Sequence, residues 1–449
     1  MSDAYWCELA WLGGERAERG VVVEVEGARF AAVTAGVAAP PPGATRLAGL
    51  TLPGLANAHS HAFQRALRGR THGGEGSFWT WREGMYALAA RLDPELYRRL
   101  ARATFAEMAL AGITAVGEFH YVHHAAGGAP YAEPNAMGEA LITAAGEAGI
   151  RITLLDACYL HGGIGEPLNE VQRRFSDGDA GSWAERVEAL ATAHPEDDPV
   201  ARVGAAIHSV RAVDPGAAAR VARWAAERSR PLHAHVSEQP AENRACQAAH
   251  GRSPTALLDE AGALEAAFTA VHATHVDERD VGLLAAGAAR CCLCPTTERD
   301  LADGIGPTRA LADAGVGLAL GTDSHALIDL LEEARALELD ERLASGVRGG
   351  HRAAELLRAA TAEGHASIGW PNAGRIAPDA CADLTTVALD GVRLAGTTPE
   401  VALESVVFAG AACDVTHVLS GGRWIVRDGH HVEIDAAAEL DRAIAALAA

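Results

Sequence analysis

Four short apolar runs of this chain each end in a residue type that binds metals or moves protons. The first leads into Asn57-Ala58-His59-Ser60-His61, and another carries His233 and His235, with Glu238 three residues further on. A third ends at Val271-His272, and a fourth at Gly321-Thr322-Asp323. Side chains two apart on a strand share a face, so His59 and His61 can both reach one metal ion. A single His at a strand end is more often structural than a ligand. Four such ends, each with a ligand-type group, favour a metal-dependent hydrolytic centre.

These residues need elements to position them. From about 51 to 374 short apolar runs recur, at 52–58, 113–119, 152–159, 203–209, 232–236, 269–273, 291–294 and 316–321, separated by helical patterns. One helix is expected to start at Pro94 after an Asp93 cap, with Gly112 as the residue that ends it. Eight strand–helix units predict a (β/α)8 TIM-like barrel, whose site lies at the C-terminal ends of the strands; a doubly wound sheet is the alternative. Residues 18–34 alternate apolar and polar, and Asp383 to Leu389, Ser405 to Phe408, Val415 to Leu419 and Trp424 to Val426 read as further short strands. Neither end has enough strands to stand alone. The expected organisation is therefore a small β-sandwich built from both chain ends, 1–50 plus 375–449, and a metal-binding barrel over 51–374.

Composition narrows the partners. The 449 residues carry a formal net charge of −21, which disfavours nucleic acid and anionic membranes. No run is long enough to span a bilayer, and the N-terminus lacks a basic segment followed by an apolar one, so a soluble cytoplasmic protein is expected. The eight Cys, mostly isolated, do not form a disulfide framework. The chain contains no Lys, and all 38 basic residues are Arg. A Schiff base, a P-loop lysine and a carboxylated lysine are thereby excluded.

The motifs Pro53-Gly54-Leu55-Ala56-Asn57-Ala58-His59-Ser60-His61, His235-Val236-Ser237-Glu238, His272 and Gly321-Thr322-Asp323-Ser324 resemble those of the amidohydrolase superfamily of metal-dependent hydrolases. The resemblance spans nearly the whole chain. It implies His59, His61, His235 and Asp323 as ligands of one divalent metal, since binuclear members bridge two metals through a carboxylated Lys. Zn2+ suits this donor set best, and Fe2+ fits nearly as well. The metal would lower the pKa of a bound water toward about 7. Asp323 would take its proton, Glu238 would pass a proton to the leaving nitrogen, and His272 would stabilise or orient the attacking oxygen. Asn57 and Ser324 would support the ligands.

Further segments are more distinctive: Gln64-Arg65, Ser77-Phe78-Trp79-Thr80-Trp81-Arg82-Glu83, Glu118-Phe119-His120-Tyr121-Val122-His123-His124, His208-Ser209-Val210-Arg211 and Cys294-Pro295-Thr296-Thr297-Glu298. They resemble the branch of the superfamily that deiminates N-formimino-L-glutamate to N-formyl-L-glutamate and ammonia in histidine degradation. That resemblance implies Gln64, Arg82, Tyr121, His208 and Arg211 as substrate contacts, a small dicarboxylate as the molecule bound, and a homodimer as the assembly. Two carboxylates suit two guanidinium forks. The bland alternatives are Arg82 paired with Glu83 or Glu118, and Arg211 capping a helix through Asp214. A deaminase acting on a purine, pterin or related ring is the competing reading; it calls for aromatic stacking and few such Arg. Trp79 and Trp81 are read as packing under a loop. His120, His123 and His124 are read as a hydrogen-bonded cluster rather than a second metal site.

Overall fold

The computed structural model describes residues 3–72, 78–265 and 267–448; Ser77 lies outside the described residues. Four strands open the chain: β1 (Asp3–Ala10), β2 (Glu18–Glu26), β3 (Arg29–Thr34) and β4 (Thr45–Pro53). Eight follow: β5 (Leu55–Ser60), β6 (Ile113–His120), β7 (Arg151–Cys158), β8 (Ala201–Ser209), β9 (Pro231–Val236), β10 (Ala267–His272), β11 (Arg290–Leu293) and β12 (Gly317–Leu320). The last four are β13 (Leu384–Val387), β14 (Val415–Ser420), β15 (Arg423–Arg427) and β16 (His430–His431).

Strands β5 to β12 pair side by side in chain order, every pair parallel. A bridge between Ser60 and Asp323 brings the first back to the last, so the sheet curls into a nearly closed barrel. Parallel strands are covered on both faces, which is why these segments read as continuous apolar runs. Helices connect them. Pro94–Leu110 begins as expected, with the Asp93 carboxylate accepting the Leu96 N–H at 2.8 Å, and Gly112 follows its end with φ +88.

The run 52–58 spans two strands rather than one. Leu52 and Pro53 finish β4 in the other sheet, and the barrel begins at Leu55. Gly54 makes the switch: a Cβ there would stand 2.3 Å from Thr114 Oγ1. An unbroken apolar run carries no mark of a change of sheet. Ser405 to Phe408 is also not a strand, but part of the helix Ala402–Ala409. Its Ala402, Leu403, Val406 and Val407 are buried along one helical face, so packing overrides the β preference of the two valines.

The strands of both ends hydrogen-bond into one mixed sheet, in the order β16-β15-β14-β13-β4-β1-β2-β3. The ends meet where β4 pairs antiparallel with β13, with Thr51 and Thr386 hydroxyls 3.1 Å apart in the interior. A buried ion pair ties this sheet to the barrel. Arg151, first residue of β7, donates to Asp383 at 2.5 Å, and Asp383 also accepts the Gly421 N–H at 2.7 Å. The Asp383 carbonyl accepts the Gly54 N–H at 3.0 Å. Asp383→Ala would leave the Arg151 guanidinium buried without its counter-charge. Chemical denaturation should show a loss of about 3–5 kcal/mol, far more than removal of the exposed Glu400 partner of Arg19 would cause.

Candidate active site

The C-terminal ends of the barrel strands converge on His59 and His61 of the first strand, His235 of the fifth and Asp323 just past the eighth. All four are buried, and their ligand-type atoms lie within 4.8 Å of one another. His59 Nε2 and His61 Nε2 stand 3.2 and 3.3 Å from Asp323 Oδ1, and His235 Nε2 stands 3.2 Å from His59 Nε2. Backbone carbonyls fix two of the rings. Phe119 O accepts from His61 Nδ1 and His208 O from His235 Nδ1, each at 2.9 Å. A carbonyl only accepts, so both Nδ1 atoms carry the proton and both Nε2 atoms turn a lone pair inward. Burial lowers the His59 imidazole to about 3 and depresses those of His61 and His235. Burial alone would raise Asp323, but His59, His272 and His61 beside it hold the carboxyl below its ordinary range. Three neutral imidazoles and one carboxylate thus face a common point, the protonation state in which these groups bind a divalent cation.

Local backbone builds this convergence. Thr322 and Asp323 donate their N–H groups to His59 O at 3.1 and 3.0 Å, and the His61 N–H returns to Asp323 O at 3.1 Å. Asn57 clamps the same seam, giving Nδ2 to Thr322 Oγ1 at 2.7 Å and accepting the Thr322 N–H at 3.0 Å. Ser324 stands 3.1 Å from Thr297 Oγ1. Ser237, His272 and Asp323 all have positive φ, +51, +68 and +41, a conformation that non-glycine residues hold only when their surroundings impose it. Glu118 lies beneath His59 and His61, accepting from Ser60 Oγ at 2.5 Å and Ala62 N–H at 2.7 Å; burial pushes its carboxyl up to about 8. It is therefore not a partner of Arg82.

Around the four stands a ring of proton-carrying groups. His272 Nε2 is 3.9 Å from Asp323 Oδ2 and 4.0 Å from Glu238 Oε1, and its Nδ1 is 3.3 Å from Glu298 Oε1. Burial opposes charge on this ring, but the carboxylates of Glu298, Glu238 and Asp323 outweigh it and raise the imidazole to about 10. Glu238 accepts from Arg211 Nη2 at 2.6 Å.

A cavity of about 290 Å3 opens onto this cluster. His61, His235, Glu238, His272 and Asp323 form its floor, and Gln64, Arg82, Tyr121, His208 and Arg211 all line it. Gln64 Nε2 donates to Tyr121 at 3.1 Å, and its Oε1 has no partner among the described residues. Arg82 donates to Tyr86 at 2.5 Å and to Gly162 O at 3.2 Å; among the described residues it has no carboxylate partner. Arg211 does not cap a helix, since Asp214 accepts from Gly216 and Ala217 instead. Trp79 and Trp81, read as packing, sit on the helix Phe78–Ala89 and face the cavity with Phe78.

His120, His123 and Asp156 also lie close enough together to suggest a cation site. Arg186 already spans both Asp156 oxygens, at 2.8 Å each, and binds Asp177 at 2.8 and 2.9 Å. The positive charge that this group can hold is therefore already present as a guanidinium. Sequence reasoning missed Glu242 and Tyr159, which line the cavity, and gave Glu298 no role. Glu242 carried a signal: it lies four residues after Glu238, with Pro240 between them opening a helix.

The chain matches the amidohydrolase family over residues 50–425. It is 40% identical over 400 residues to a formimidoylglutamate deiminase of Pseudomonas aeruginosa, covering 87% of each chain. It is 31% identical over 396 residues to a 5-methylthioadenosine/S-adenosylhomocysteine deaminase of Natronomonas pharaonis, covering 87% of this chain and 84% of that one. Among solved structures, an amidohydrolase from Brucella melitensis superposes with a TM-score of 0.91 at 32% identity, over 100% of both chains. Similarity of this extent, across the barrel and the sheet that joins both ends, makes the chain a member of the amidohydrolase family and a hydrolase of C–N bonds.

Proposed function

We propose that this enzyme hydrolyses N-formimino-L-glutamate to N-formyl-L-glutamate and ammonia, with one divalent metal held by His59, His61, His235 and Asp323. The observation that carries this reading is the lining of one cavity by His61, His235 and Asp323 of the ligand-type cluster and by Arg82 and Arg211 together. A dicarboxylate with a cationic amidine at one end needs anion-binding forks at a distance from the reacting carbon. The similarity to the Pseudomonas enzyme supports the same substrate.

A divalent metal in this cradle supplies Lewis acidity to the attacking water. Zn2+ is the metal these donors suit best. The chain's own groups do the rest. Asp323, ionised and beside His59 and His61, accepts the proton released as the C–O bond forms. Glu238 carries a proton to the terminal amidine nitrogen, which leaves as ammonia when the C–N bond breaks. His272, 3.9 Å from Asp323 and 4.0 Å from Glu238, orients the attacking oxygen by hydrogen bonding. Gln64, Tyr121 and His208 hold the substrate by hydrogen bonds, and Arg82 and Arg211 hold its carboxylates. The amidinium plus water gives the formamide plus ammonium, so charge and atoms balance.

A second reading has its own observation. Phe78, Trp79, Trp81, Tyr86, Tyr121, Tyr159 and Phe175 give the cavity an aromatic wall, which suits stacking on a purine or pterin ring. An ammonia-release assay on N-formimino-L-glutamate, adenosine and guanine separates the two. Turnover of the formimino compound alone is expected; turnover of a ring amine alone would reverse the assignment.

Elemental analysis of the purified enzyme should find about one metal ion per chain, and His235→Ala should lose most of it. Arg82→Ala should raise KM for formiminoglutamate about ten-fold or more, by loss of a charged hydrogen bond. Glu238→Gln should lower kcat by about 10²–10⁴-fold with little change in metal content. Wild-type turnover in that variant would remove Glu238 from its role.

A further inference from the structure

Arg211 is engaged on two sides. Its Nη2 donates to Glu238 Oε2 at 2.6 Å, and its Nε lies 3.3 Å from Ser209 Oγ and 3.8 Å from Glu242 Oε2. Glu242 is buried, 2% exposed, and its Oε2 also accepts the Glu238 N–H at 3.2 Å. Its Oε1 has no partner among the described residues. One guanidinium thus serves two carboxylates, and all three groups line the cavity. The carboxylate on the Nη edge is the one whose other oxygen lies 4.0 Å from His272. The group assigned as proton carrier is therefore tied to the group assigned as anion fork.

We infer that Arg211 is a latch on Glu238 and that the substrate's own carboxylate opens it. An incoming carboxylate takes the Nη edge of Arg211, and Glu238 gives up that bond and turns toward the leaving nitrogen. Glu242 acts as a positioning residue, keeping the guanidinium oriented from the Nε side during the exchange. Swapping one carboxylate for another at a guanidinium conserves the ion pair. Freeing Glu238 with nothing in its place would leave a buried charge short of a partner, which is strongly unfavourable. The substrate carboxylate accordingly raises the rate of the chemical step as well as affinity, because its binding frees a group that the transition state uses. Selectivity for acidic amidines then resides in proton transfer and not only in a charged pocket. This inference rests on the deiminase reading above.

The test uses metal-loaded enzyme and N-methylformamidine, an amidine with no carboxylate, with propionate added separately. Propionate should raise turnover of N-methylformamidine by about ten-fold or more in a saturable manner, and should do nothing in Arg211→Gln. A second measurement needs no turnover: glutarate binding by calorimetry. Glu238→Gln, which lacks the competing carboxylate, should bind glutarate more tightly than the parent by about five-fold or more, while Glu242→Gln, which loses the anchor, should not. Formiminoglutamate turned over normally, with propionate giving no activation and glutarate affinity equal in Glu238→Gln and parent, would overturn the latch and leave the deiminase reading intact. No turnover of formiminoglutamate by metal-loaded enzyme would overturn both.

Discussion

Three imidazoles and one carboxylate are pressed into a single water-poor spot, and the rest of the structure is arranged around that crowding. Two Nε2 atoms, of His59 and His235, face each other at 3.2 Å, and that of His59 also lies 3.2 Å from Asp323 Oδ1. Burial opposes positive charge on the imidazoles themselves, since it drives His59, His61 and His235 toward the neutral form. The carbonyls of Phe119 and His208 forbid two of the rings from turning away. The cluster is thus held with its ligand-type atoms close together, an arrangement that suits a bound positive ion.

The barrel makes the crowding affordable by confining it to one end. Parallel strands deliver their last residues to a common rim, so strands far apart in sequence can each contribute one group. Backbone strain gathers at the same rim, at Ser237, His272 and Asp323, where it aims side chains that ordinary strand geometry would point elsewhere. The surrounding carboxylates then set roles by proximity. Glu298, Glu238 and Asp323 favour the charged form of His272 against its burial, while burial pushes Glu118 toward its neutral form. At the opposite end of the barrel, the mixed sheet and the Arg151–Asp383 pair anchor the framework.

Much of this was legible in the sequence. All eight barrel strands lie where apolar runs predict them, because strands buried on both faces cannot hide their composition. The His-X-His pair, His235 and Asp323 could be singled out as ligand-type residues at the ends of those runs and through the family resemblance, and the structure brings all four together. The sheet change at Gly54 and the helix at Ser405 to Phe408 could not, since both depend on what packs against the segment rather than on its own pattern. The pairing of Arg211 with Glu238 was equally hidden: a sequence gives each residue's charge but not its neighbours across a barrel rim. Trp79 and Trp81 are read in the sequence as packing beneath a loop; Trp81 does pack against the core, and both also line the cavity.

The seam between the first and last barrel strands has a consequence for how the molecule comes into being. Asn57 and Thr322, which clasp it, are 265 positions apart. On the ribosome the first two histidines emerge long before His235 and longer still before the aspartate that completes the set. The full set is brought together where the last barrel strand bridges back to the first. A chain arrested before its eighth barrel strand would carry the three histidines of this cluster without the carboxylate that joins them.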